Sequence, residues 1–525
     1  MKTVTLTING QAVTVNEGTT VFQAAQAAGV FVPHYCYHPD LSIAGVCRMC
    51  MVEIEKVPRP QISCNTVATE GMVVRTDTPK IKDTVKGVLE LHLINHPLDC
   101  PICDKAGECK LQDFYQSYGL YTSRMEHEKV HKPKVQDIGT IVLDSERCIL
   151  CTRCVRFTDE VTHSNELGIF NRGDRSELRT YDEGPLKNDY TGNLADICPV
   201  GALTAKDFRF QQRVWFLDKT KSVCTMCAHG CNTAVSINSS TKKLYRVEPR
   251  RNPEVNQSWI CDTGRWGIHS LTENRVATPL KNAGGFLDAT WNQAFSEMKR
   301  AITEAPEKTL VFLSTAMTNE EVVDVCQVMF ALGVKNFSWL VDEAVVSETQ
   351  PFDGILKHHD LSANARGTAE ILKRLGLTNL GMKAGIDKVK TQPLSQVVAV
   401  GLDAAQGPLW VEVAAVIPTT TQSFVHATNH HPSFEAAKWV LPNTTSFEKT
   451  GTIVSALARV QKVNRILPAQ GLARDSHALA WGISRGDDRS VPSKERAKTI
   501  FESSIQSWFC PGEKFSQFNE MGVAL

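Results

Sequence analysis

Cys148-Ile149-Leu150-Cys151-Thr152-Arg153-Cys154 places three cysteines two residues apart, and Cys198-Pro199 supplies a fourth further along the chain. A [4Fe–4S] cluster needs one thiolate at each of its four corners, and this spacing, with the last cysteine before a proline, is typical of such a ligand set. Zinc is the alternative. Zinc ribbons pair their cysteines two and two across a loop, so a third closely spaced thiol would be redundant there. The motif therefore favours a cubane iron–sulfur cluster in the surrounding residues 119–216.

The composition is that of an ordinary globular protein. The 525 residues carry 57 basic and 57 acidic side chains and are 42% hydrophobic, which gives no sign of a nucleic-acid or polyanion binder. The chain opens directly on an alternating strand pattern, and no apolar run is long enough to cross a bilayer. We therefore expect about three or four domains in the cytosol or another reducing compartment, with membrane contact only through partners.

The 17 cysteines are concentrated in the first half of the chain. Fifteen lie between Cys36 and Cys261, and only Cys326 and Cys510 follow. In a reducing compartment such a density indicates metal ligation rather than disulfides. The sequence thus predicts a ligand-rich front half and a ligand-poor back half.

Residues 1–78 predict a small α+β domain. Residues 3–15 alternate around Asn9-Gly10, the pattern of a hairpin with a two-residue turn, and residues 20–28 follow as a short amphipathic helix. A hairpin, a helix and a cysteine-rich loop suggest a plant-ferredoxin-like β-grasp domain with a [2Fe–2S] cluster, although the first two cysteines are further apart than in plant ferredoxins. The candidate ligands are Cys36, Cys47, Cys50 and Cys64.

Residues 79–118 contain three cysteines that are close in sequence: Cys100, Cys103 and Cys109. A cubane bound to them needs a fourth ligand of another type, and His96, four positions before the first cysteine, is the candidate. Spacing leaves two alternatives open. One is His92, a helical turn earlier, and the other is a surface histidine with water completing the site.

A fourth group of cysteines lies in residues 217–275, and its members are Cys224, Cys227, Cys231 and Cys261. Four thiols with compact early spacing again favour a cubane over zinc. His229, inside this loop, is expected outside the ligand set, either behind a ligand or exposed, because four cysteines already suffice.

Residues 276–525 change to a βαβ pattern, which predicts an α/β domain. An amphipathic helix is expected over residues 319–332, and residues 355–395, with few periodic signals, are expected to be a linker or an irregular insertion. No G-x-G-x-x-G motif follows a predicted strand, so no flavin or nicotinamide site is expected. The predicted strands are residues 310–313, 337–341, 397–400 and 413–417.

With all four groups in view, the order of motifs resembles the large iron–sulfur subunit of bacterial respiratory complex I, the NADH:quinone oxidoreductase. The resemblance covers residues 1 to about 275. Besides the central stretch it rests on Cys36-Tyr37-His38-Pro39, Gly45-Val46-Cys47-Arg48-Met49-Cys50, His96-Pro97-Leu98-Asp99-Cys100-Pro101, Gly107-Glu108-Cys109 and Cys198-Pro199-Val200-Gly201-Ala202-Leu203.

The resemblance implies that His96 is the fourth ligand of the second site, and that the last cysteine group holds an additional cluster kept by some bacterial members. The expected cofactors are one [2Fe–2S] and three [4Fe–4S] clusters, without flavin or molybdopterin. The expected donor is an NADH-oxidising flavin subunit, and the expected acceptor is a ferredoxin-like two-cluster subunit. Other peripheral-arm subunits would hold the chain, which has no catalytic residues of its own, on the cytoplasmic face of the bacterial inner membrane.

The back half resembles, more faintly, a shortened molybdopterin oxidoreductase fold. The likeness rests on Thr318-Asn319-Glu320-Glu321 and on Phe447-Glu448-Lys449-Thr450-Gly451-Thr452. The alternative function is therefore a catalytic subunit of an NAD-linked formate dehydrogenase. Against it, Thr263 stands where catalytic relatives have a lysine, residues 335–341 offer no cysteine for the metal, and Cys326 is expected to be a buried structural thiol.

Two other functions are weaker. An iron-only hydrogenase needs more cysteines after residue 261 than Cys326 and Cys510 provide. A non-redox scaffold with four zinc sites would be colourless, whereas an iron–sulfur protein is brown and is bleached by dithionite.

Overall fold

The structure, a computed structural model, describes residues 2–119, 122–377, 381–489 and 493–525. The chain divides between Leu217 and Asp218 into two compact units. No helix within these described ranges is long and apolar enough to cross a membrane.

The secondary structure of the first unit is as follows. Its described strands are β1 (Thr3–Ile8), β2 (Gln11–Asn16), β3 (Met51–Ile54), β4 (Gln61–Ile62), β5 (Val73–Arg75), β6 (Gln136–Asp137), β7 (Ile141–Leu143), β8 (Leu167–Phe170), β9 (Glu177–Thr180) and β10 (Leu203–Ala205). Its described α-helices are α1 (Val21–Ala27), α2 (Pro79–Leu93), α3 (Lys110–Tyr118), α4 (Arg153–Glu160) and α5 (Asn193–Ile197).

The first sheet begins with the predicted hairpin. β1 and β2 pair antiparallel with Ile8 opposite Gln11, and the turn residues Asn9 and Gly10 have φ angles of 49° and 87°. Two positive φ angles are what a two-residue turn between twisted strands requires. β5 then pairs parallel to β1, which gives the strand order β2-β1-β5-β3-β4. The hairpin prediction is confirmed.

Helix α1 covers one face of this sheet. It starts after a capping box in which the side chains of Thr20 and Gln23 each bond the other's backbone N–H. Its buried Val21 and Phe22 join the core that the strands build. A small sheet with one packed helix agrees with the ferredoxin-like α+β domain that the sequence predicts.

The rest of the first unit positions the cysteine motifs. The motif with His96 lies between α2 and α3, and the central motif lies at the start of α4. A three-stranded sheet of order β10-β7-β6 and the β8–β9 hairpin flank the central motif. Short elements therefore place the ligand-bearing loops.

The secondary structure of the second unit is longer and more regular. Its described strands are β11 (Asp218–Val223), β12 (Asn232–Asn238), β13 (Lys243–Pro249), β14 (Leu280–Asn282), β15 (Phe286–Asp288), β16 (Thr309–Ser314), β17 (Asn336–Leu340), β18 (Gln396–Leu402), β19 (Gln422–Ala427), β20 (Trp439–Pro442), β21 (Gly451–Val454), β22 (Arg459–Val463) and β23 (Val523–Ala524). Its described α-helices are α6 (Asp262–Trp266), α7 (Ile268–Thr272), α8 (Trp291–Glu304), α9 (Asn319–Ala331), α10 (Ala365–Arg374), α11 (Met382–Thr391), α12 (Gly407–Ala414), α13 (Ser476–Arg485), α14 (Ser493–Ile500) and α15 (Gln506–Phe509).

The second unit is built on a sheet of order β15-β14-β20-β19-β18-β16-β17. The run from β20 to β17 is parallel, and β14 and β15 are antiparallel at one edge. Neighbouring strand residues face opposite cores: Val398 packs with α9 and α13, and Val397 packs with α11 and α12. Parallel strands buried on both faces read as apolar runs, which is why residues 310–313, 337–341 and 397–400 were recognisable as strands.

Residues 413–417 are not the strand that the sequence predicts. Val413 lies in helix α12, which begins with a proline in its first turn, and the next strand is β19. A short apolar run looks the same whether it is buried as a strand or as a helix. Val413 packs against one face of the sheet and is not part of a strand.

Residues 355–395 are not an irregular insertion, because they contain α10 and α11, with residues 378–380 outside the described ranges. Gly385 of α11 interrupts the helical sequence pattern for a packing reason. A Cβ atom there would lie 2.4 Å from the Ser338 Oγ atom and 2.8 Å from the Phe312 ring, so only glycine allows this approach. The expectation of a linker was wrong.

Candidate metal centres

The first site is formed by four buried thiols beside the first sheet: Cys36, Cys47, Cys50 and Cys64. Cys36 hydrogen-bonds with Cys47 and Cys64, and Cys50 hydrogen-bonds with Cys64, so the four sulfurs form one connected group. The thiol of Cys64 lowers the pKa of Cys50 to about 7. Within these pairs the pKa values of Cys47 and Cys64 are raised, first by the hydrogen bond to Cys36.

The loop of the first site is shaped for sulfur ligands. The Tyr35 N–H donates to the Cys47 Sγ atom at 3.4 Å, and such N–H···S bonds stabilise thiolate ligands. Gly45 has a φ of 65°, and a Cβ atom there would lie 3.2 Å from Ile62. The donor set and the loop both fit a [2Fe–2S] cluster.

The second site opens into a cavity of about 890 Å³ in the first unit. The candidate ligands that line it are His96, Cys100, Cys103 and Cys109. The His96 Nδ1 atom is buried and has no hydrogen-bond partner among the described residues. Burial lowers the pKa of His96 to about 4, which leaves the neutral imidazole that ligates metals. Three thiols and an unpartnered imidazole nitrogen fit a cubane with one histidine ligand.

His92, the competing candidate, is engaged elsewhere. Its Nε2 atom donates to the carbonyl oxygen of Cys47 at 3.1 Å, and its ring packs edge-on against Tyr35 at 5.2 Å. It does not line the cavity of the second site. The contacts of His92 therefore belong to the loop of the first site.

Lys129 holds the backbone that carries His96. Its ammonium group donates to the carbonyl oxygens of Leu93, Ile94 and His96 at 2.8, 3.0 and 2.9 Å. Carbonyls at the end of a helix lack intrahelical partners, so a lysine there stabilises the end of α2. No local sequence motif predicts this contact, because Lys129 lies 33 residues beyond His96.

The third site collects the cysteines of the central motif around a small apolar pocket: Cys148, Cys151, Cys154 and Cys198. Leu150 and Thr152 have φ angles of 52° and 61°, which wind the loop, and the Leu150 N–H lies 3.4 Å from the Cys148 Sγ atom. Burial raises the pKa of Cys148 to about 12 and of Cys151 to about 11. The thiolates therefore form when metal replaces the protons, as in cluster sites.

Arg147, which the motif analysis missed, connects the second and third sites. Its guanidinium pairs with Asp99 at 2.5 Å and with Asp144 at 3.3 Å. Asp99 directly precedes a cysteine of the second site, and Arg147 directly precedes one of the third. This partly buried pair fixes the two ligand loops to each other.

The fourth site lies in the second unit beside the β11–β13 sheet, and its thiols are electrostatically coupled to one another: Cys224, Cys227, Cys231 and Cys261. The Gly264 N–H donates to the Cys261 Sγ atom at 3.3 Å. A Cβ atom on Gly264 would lie 3.0 Å from the Cys224 Sγ atom, so the glycine lets the two cysteine segments approach. This set fits a second all-cysteine cubane.

His229 is buried behind these cysteines, so the exposed alternative is wrong. Its Nε2 atom donates to the carbonyl oxygen of Val255 at 2.9 Å, and its Nδ1 atom shares a 3.2 Å hydrogen bond with the His358 Nε2 atom. His358 comes from a loop 129 residues away, so sequence spacing could not reveal it.

In the described ranges, no group of three or more His, Cys, Asp or Glu side chains is arranged to hold a single metal ion. In a cubane each ligand binds a different iron, and in a [2Fe–2S] cluster each iron has two of the four ligands.

Four family models match the front half in the order of these sites. They are a 2Fe-2S iron-sulfur cluster binding domain (residues 1–79), the NADH-ubiquinone oxidoreductase-G iron-sulfur binding region (86–124), the ferredoxin-like domain of NADH-quinone oxidoreductase subunit 3 (139–204) and the 4Fe-4S domain of the NADH-ubiquinone oxidoreductase NDSU1/NuoG-like type (217–269). The chain is an iron–sulfur protein with one [2Fe–2S] domain and several [4Fe–4S] domains.

Comparison with curated relatives shows which iron–sulfur proteins the chain is similar to. The G-type subunit of NADH-quinone oxidoreductase from Rickettsia bellii is 41% identical over 336 residues, which are 63% of this chain and 49% of that protein. The same subunit from Streptomyces coelicolor is 36% identical over 415 residues, 77% of this chain and 47% of that protein. The mitochondrial NADH-ubiquinone oxidoreductase 78 kDa subunit of Candida albicans is 40% identical over 349 residues, which are 65% of this chain and 48% of that protein. The chain is a homologue of the G-type subunit of NADH-quinone oxidoreductase and spans about half the length of the curated relatives it matches.

Two solved structures are also similar. A chain of the NAD+-reducing [NiFe]-hydrogenase in the H2-reduced state is 32% identical, with a TM-score of 0.37, over 40% of this chain and 91% of that chain. Acetylene hydratase from Pelobacter acetylenicus is 10% identical, with a TM-score of 0.38, over 58% of this chain and 74% of that chain. Neither score is high enough to define a common fold.

Proposed function

We propose that the chain is an electron-transfer subunit of a respiratory NADH:quinone oxidoreductase, with one [2Fe–2S] and three [4Fe–4S] clusters. The observation that carries the proposal is the convergence of four separate ligand sets, each on buried or half-buried thiols, in the order of the four family models. The proposed ligands are Cys36, Cys47, Cys50 and Cys64; His96, Cys100, Cys103 and Cys109; Cys148, Cys151, Cys154 and Cys198; Cys224, Cys227, Cys231 and Cys261.

When bound, the clusters supply one-electron redox chemistry. The chain's own residues hold thiolate or imidazole ligands, exclude water from them and donate N–H groups to sulfur. His96 in place of a fourth thiolate removes one negative charge from the second site, which raises its reduction potential. The Tyr35, Leu150 and Gly264 N–H groups act in the same direction at the other sites, because they stabilise the more negative reduced state.

The proposed donor is an NADH-oxidising flavin subunit, since the sequence has no flavin or nicotinamide fingerprint. The proposed acceptor is a ferredoxin-like two-cluster subunit that passes electrons toward quinone. The chain would contact the cytoplasmic face of the bacterial inner membrane only through these and the other peripheral-arm subunits. The proposed domains are residues 1–78, 79–118, 119–216, 217–275 and 276–525.

We further propose that the last domain is a shortened molybdopterin-oxidoreductase-like platform that binds no pterin. In open α/β sheets, ligands bind at the carboxyl ends of the strands. At the start of α9, Glu321 forms a 3.0 Å ion pair with Lys449, and Glu320 accepts bonds from the N–H and hydroxyl of Thr452. The polar groups at the start of α9 therefore pair with one another and are not left to bind a ligand. Cys326 on α9 is fully buried in the hydrophobic core with Val322, Val323 and Met329, so a metal thiolate there would lack polar partners.

The test is metal analysis of the full chain purified without oxygen. We expect about 14 irons per chain, the sum of one two-iron and three four-iron clusters, and no NADH oxidation by the chain alone. Turnover of NADH by the isolated chain would contradict an electron-relay role. Stoichiometric molybdenum or tungsten with formate-dependent reduction of the clusters would instead establish the formate dehydrogenase alternative, and a colourless zinc protein would exclude both.

A further inference from the structure

Helix α4 joins the loops of the first and third sites. It begins within the central motif, since Cys154 is its second residue. Arg156 donates to the carbonyl oxygen of Cys36 at 2.6 Å and to that of Ser42. Glu160 accepts from the Ser42 N–H at 2.8 Å and from its hydroxyl. One helix therefore carries a ligand of the third site and holds the loop of the first.

Arg153 lies between these two sites. Its Nη1 atom donates to the carbonyl oxygen of Ile197 at 3.0 Å, directly before Cys198, and its Nη2 atom donates to that of Tyr37, directly after Cys36. The side chain thus touches the backbone beside a ligand of each site.

The charge of Arg153 has no carboxylate partner within the described part of the chain. The residue is 5% exposed, and its Nε atom is buried without a hydrogen-bond partner. An isolated buried guanidinium is costly unless a counter-charge lies nearby. The groups whose ionised forms favour the charge of Arg153 are the thiols of Cys151 and Cys198 at the third site and of Cys36 at the first.

We propose that Arg153 is a shared counter-ion of the [2Fe–2S] site and the central [4Fe–4S] site, and that its charge raises the reduction potentials of both clusters. This inference rests on the proposed function. A cluster with four thiolates is net negative and becomes more negative by one charge on reduction, so a fixed cation at low dielectric stabilises the reduced form. Because one guanidinium serves both sites, it raises both potentials together.

Two other basic groups share the region. Lys110 is electrostatically coupled to Arg153, and burial lowers its pKa to about 8. Arg156 is half-buried and also reaches the loop of the first site. The effect of Arg153 must therefore be separated from theirs by substitution.

The test is an EPR-monitored redox titration of the full, cluster-loaded chain in three variants. Arg153→Gln keeps hydrogen-bond donors but removes the charge, and we expect the midpoint potentials of both clusters to fall. Arg153→Lys keeps the charge, and we expect potentials close to those of the unmodified protein. Arg156→Gln, three residues later on the same helix, is the comparison: its contacts are with the loop of the first site, and its charge acts less on Cys151 than that of Arg153 does, so we expect a smaller fall in the potential of the central cubane. An equal or larger fall would refute the assignment to Arg153.

Iron and sulfide content separates this inference from the proposed function. An unmodified chain without clusters would overturn the function itself. A loaded chain in which Arg153→Gln moves neither potential, or only one, would overturn the role of Arg153 alone. If Arg153→Gln does not assemble its clusters, Arg153→Lys decides. Potentials equal to those of the unmodified protein would support the role of the positive charge, and lowered potentials would refute it.

Discussion

The Nε2 atom of His92 lies 3.1 Å from the carbonyl oxygen of Cys47, so the last turn of α2 is hydrogen-bonded to the loop of the first site. His96, four residues later, lines the cavity of the second site instead. Two histidines four residues apart, one in α2 and one just after it, thus have different surroundings, which makes them a matched pair for mutation.

His96→Ala should abolish or alter the EPR signal of the second cluster, because the remaining three thiols leave one corner of the cubane without a protein ligand. If the cluster is lost, the iron content falls by about four per chain. His92→Ala should keep that signal and change only the [2Fe–2S] signal. If both variants retain an unchanged second-cluster signal, the fourth ligand is another group.

Lys129→Met should destabilise the second cluster without removing a ligand. Three carbonyl oxygens lose their donor, and supporting contacts of this kind change metal affinity by about 10–100-fold. Loss of the second cluster to an iron chelator, followed by EPR, should be faster. The control is Lys134→Met in the same segment, where a 59% exposed side chain pairs with Glu146. Equal rates in the two variants would refute the role of Lys129.

Lys449→Met should destabilise the second unit by about 3–5 kcal/mol, because it leaves the buried Glu321 carboxylate without its partner. The two side chains are 4% and 1% exposed. Combining it with Glu321→Gln should recover much of the loss. Breaking the exposed Lys221–Glu520 pair by Lys221→Met should cost about 0–1 kcal/mol. Urea unfolding of the full chain measures the differences, and similar losses for both lysines would argue against the buried pair.

His477→Gln should reduce stability in a pH-dependent way. Burial lowers the pKa of His477, but the 2.9 Å hydrogen bond to Asp324 and nearby carboxylates outweigh it and raise the pKa above the ordinary value. A histidine whose pKa is raised in the folded state contributes its full stabilisation of the fold below its unfolded-state pKa of about 6.5. This contribution is lost as the pH rises through the folded-state pKa.

The stability difference between the unmodified chain and His477→Gln should therefore be largest below about pH 6.5 and shrink at higher pH. Hydrogen exchange of the α9 and α13 amides measures it, since these helices carry Asp324 and His477. The exposed His430→Gln is the control and should change the free energy by less than about 0.5 kcal/mol. A difference that grows with pH would contradict the assigned shift.

Much of the fold was accessible from local patterns. Asn9-Gly10 predicts the first hairpin because positive φ angles suit these residues, and the apolar run at residues 310–313 predicts a strand because parallel strands are buried on both faces. The same rule failed at residues 413–417, where an equally apolar run is helical. At residues 355–395, close packing of Gly385 concealed a helix whose sequence pattern is weak.

The sequence by itself predicted which cysteines group together, because most ligands of one cluster lie a few residues apart on one loop and the last one follows further along the chain. Tertiary structure decided what surrounds each group. Lys129 at the carbonyl of His96, His358 beside His229 and Arg153 between two sites are contacts across 33, 129 and more than 40 residues. Such contacts depend on how elements pack and where side chains point, and no local spacing encodes either.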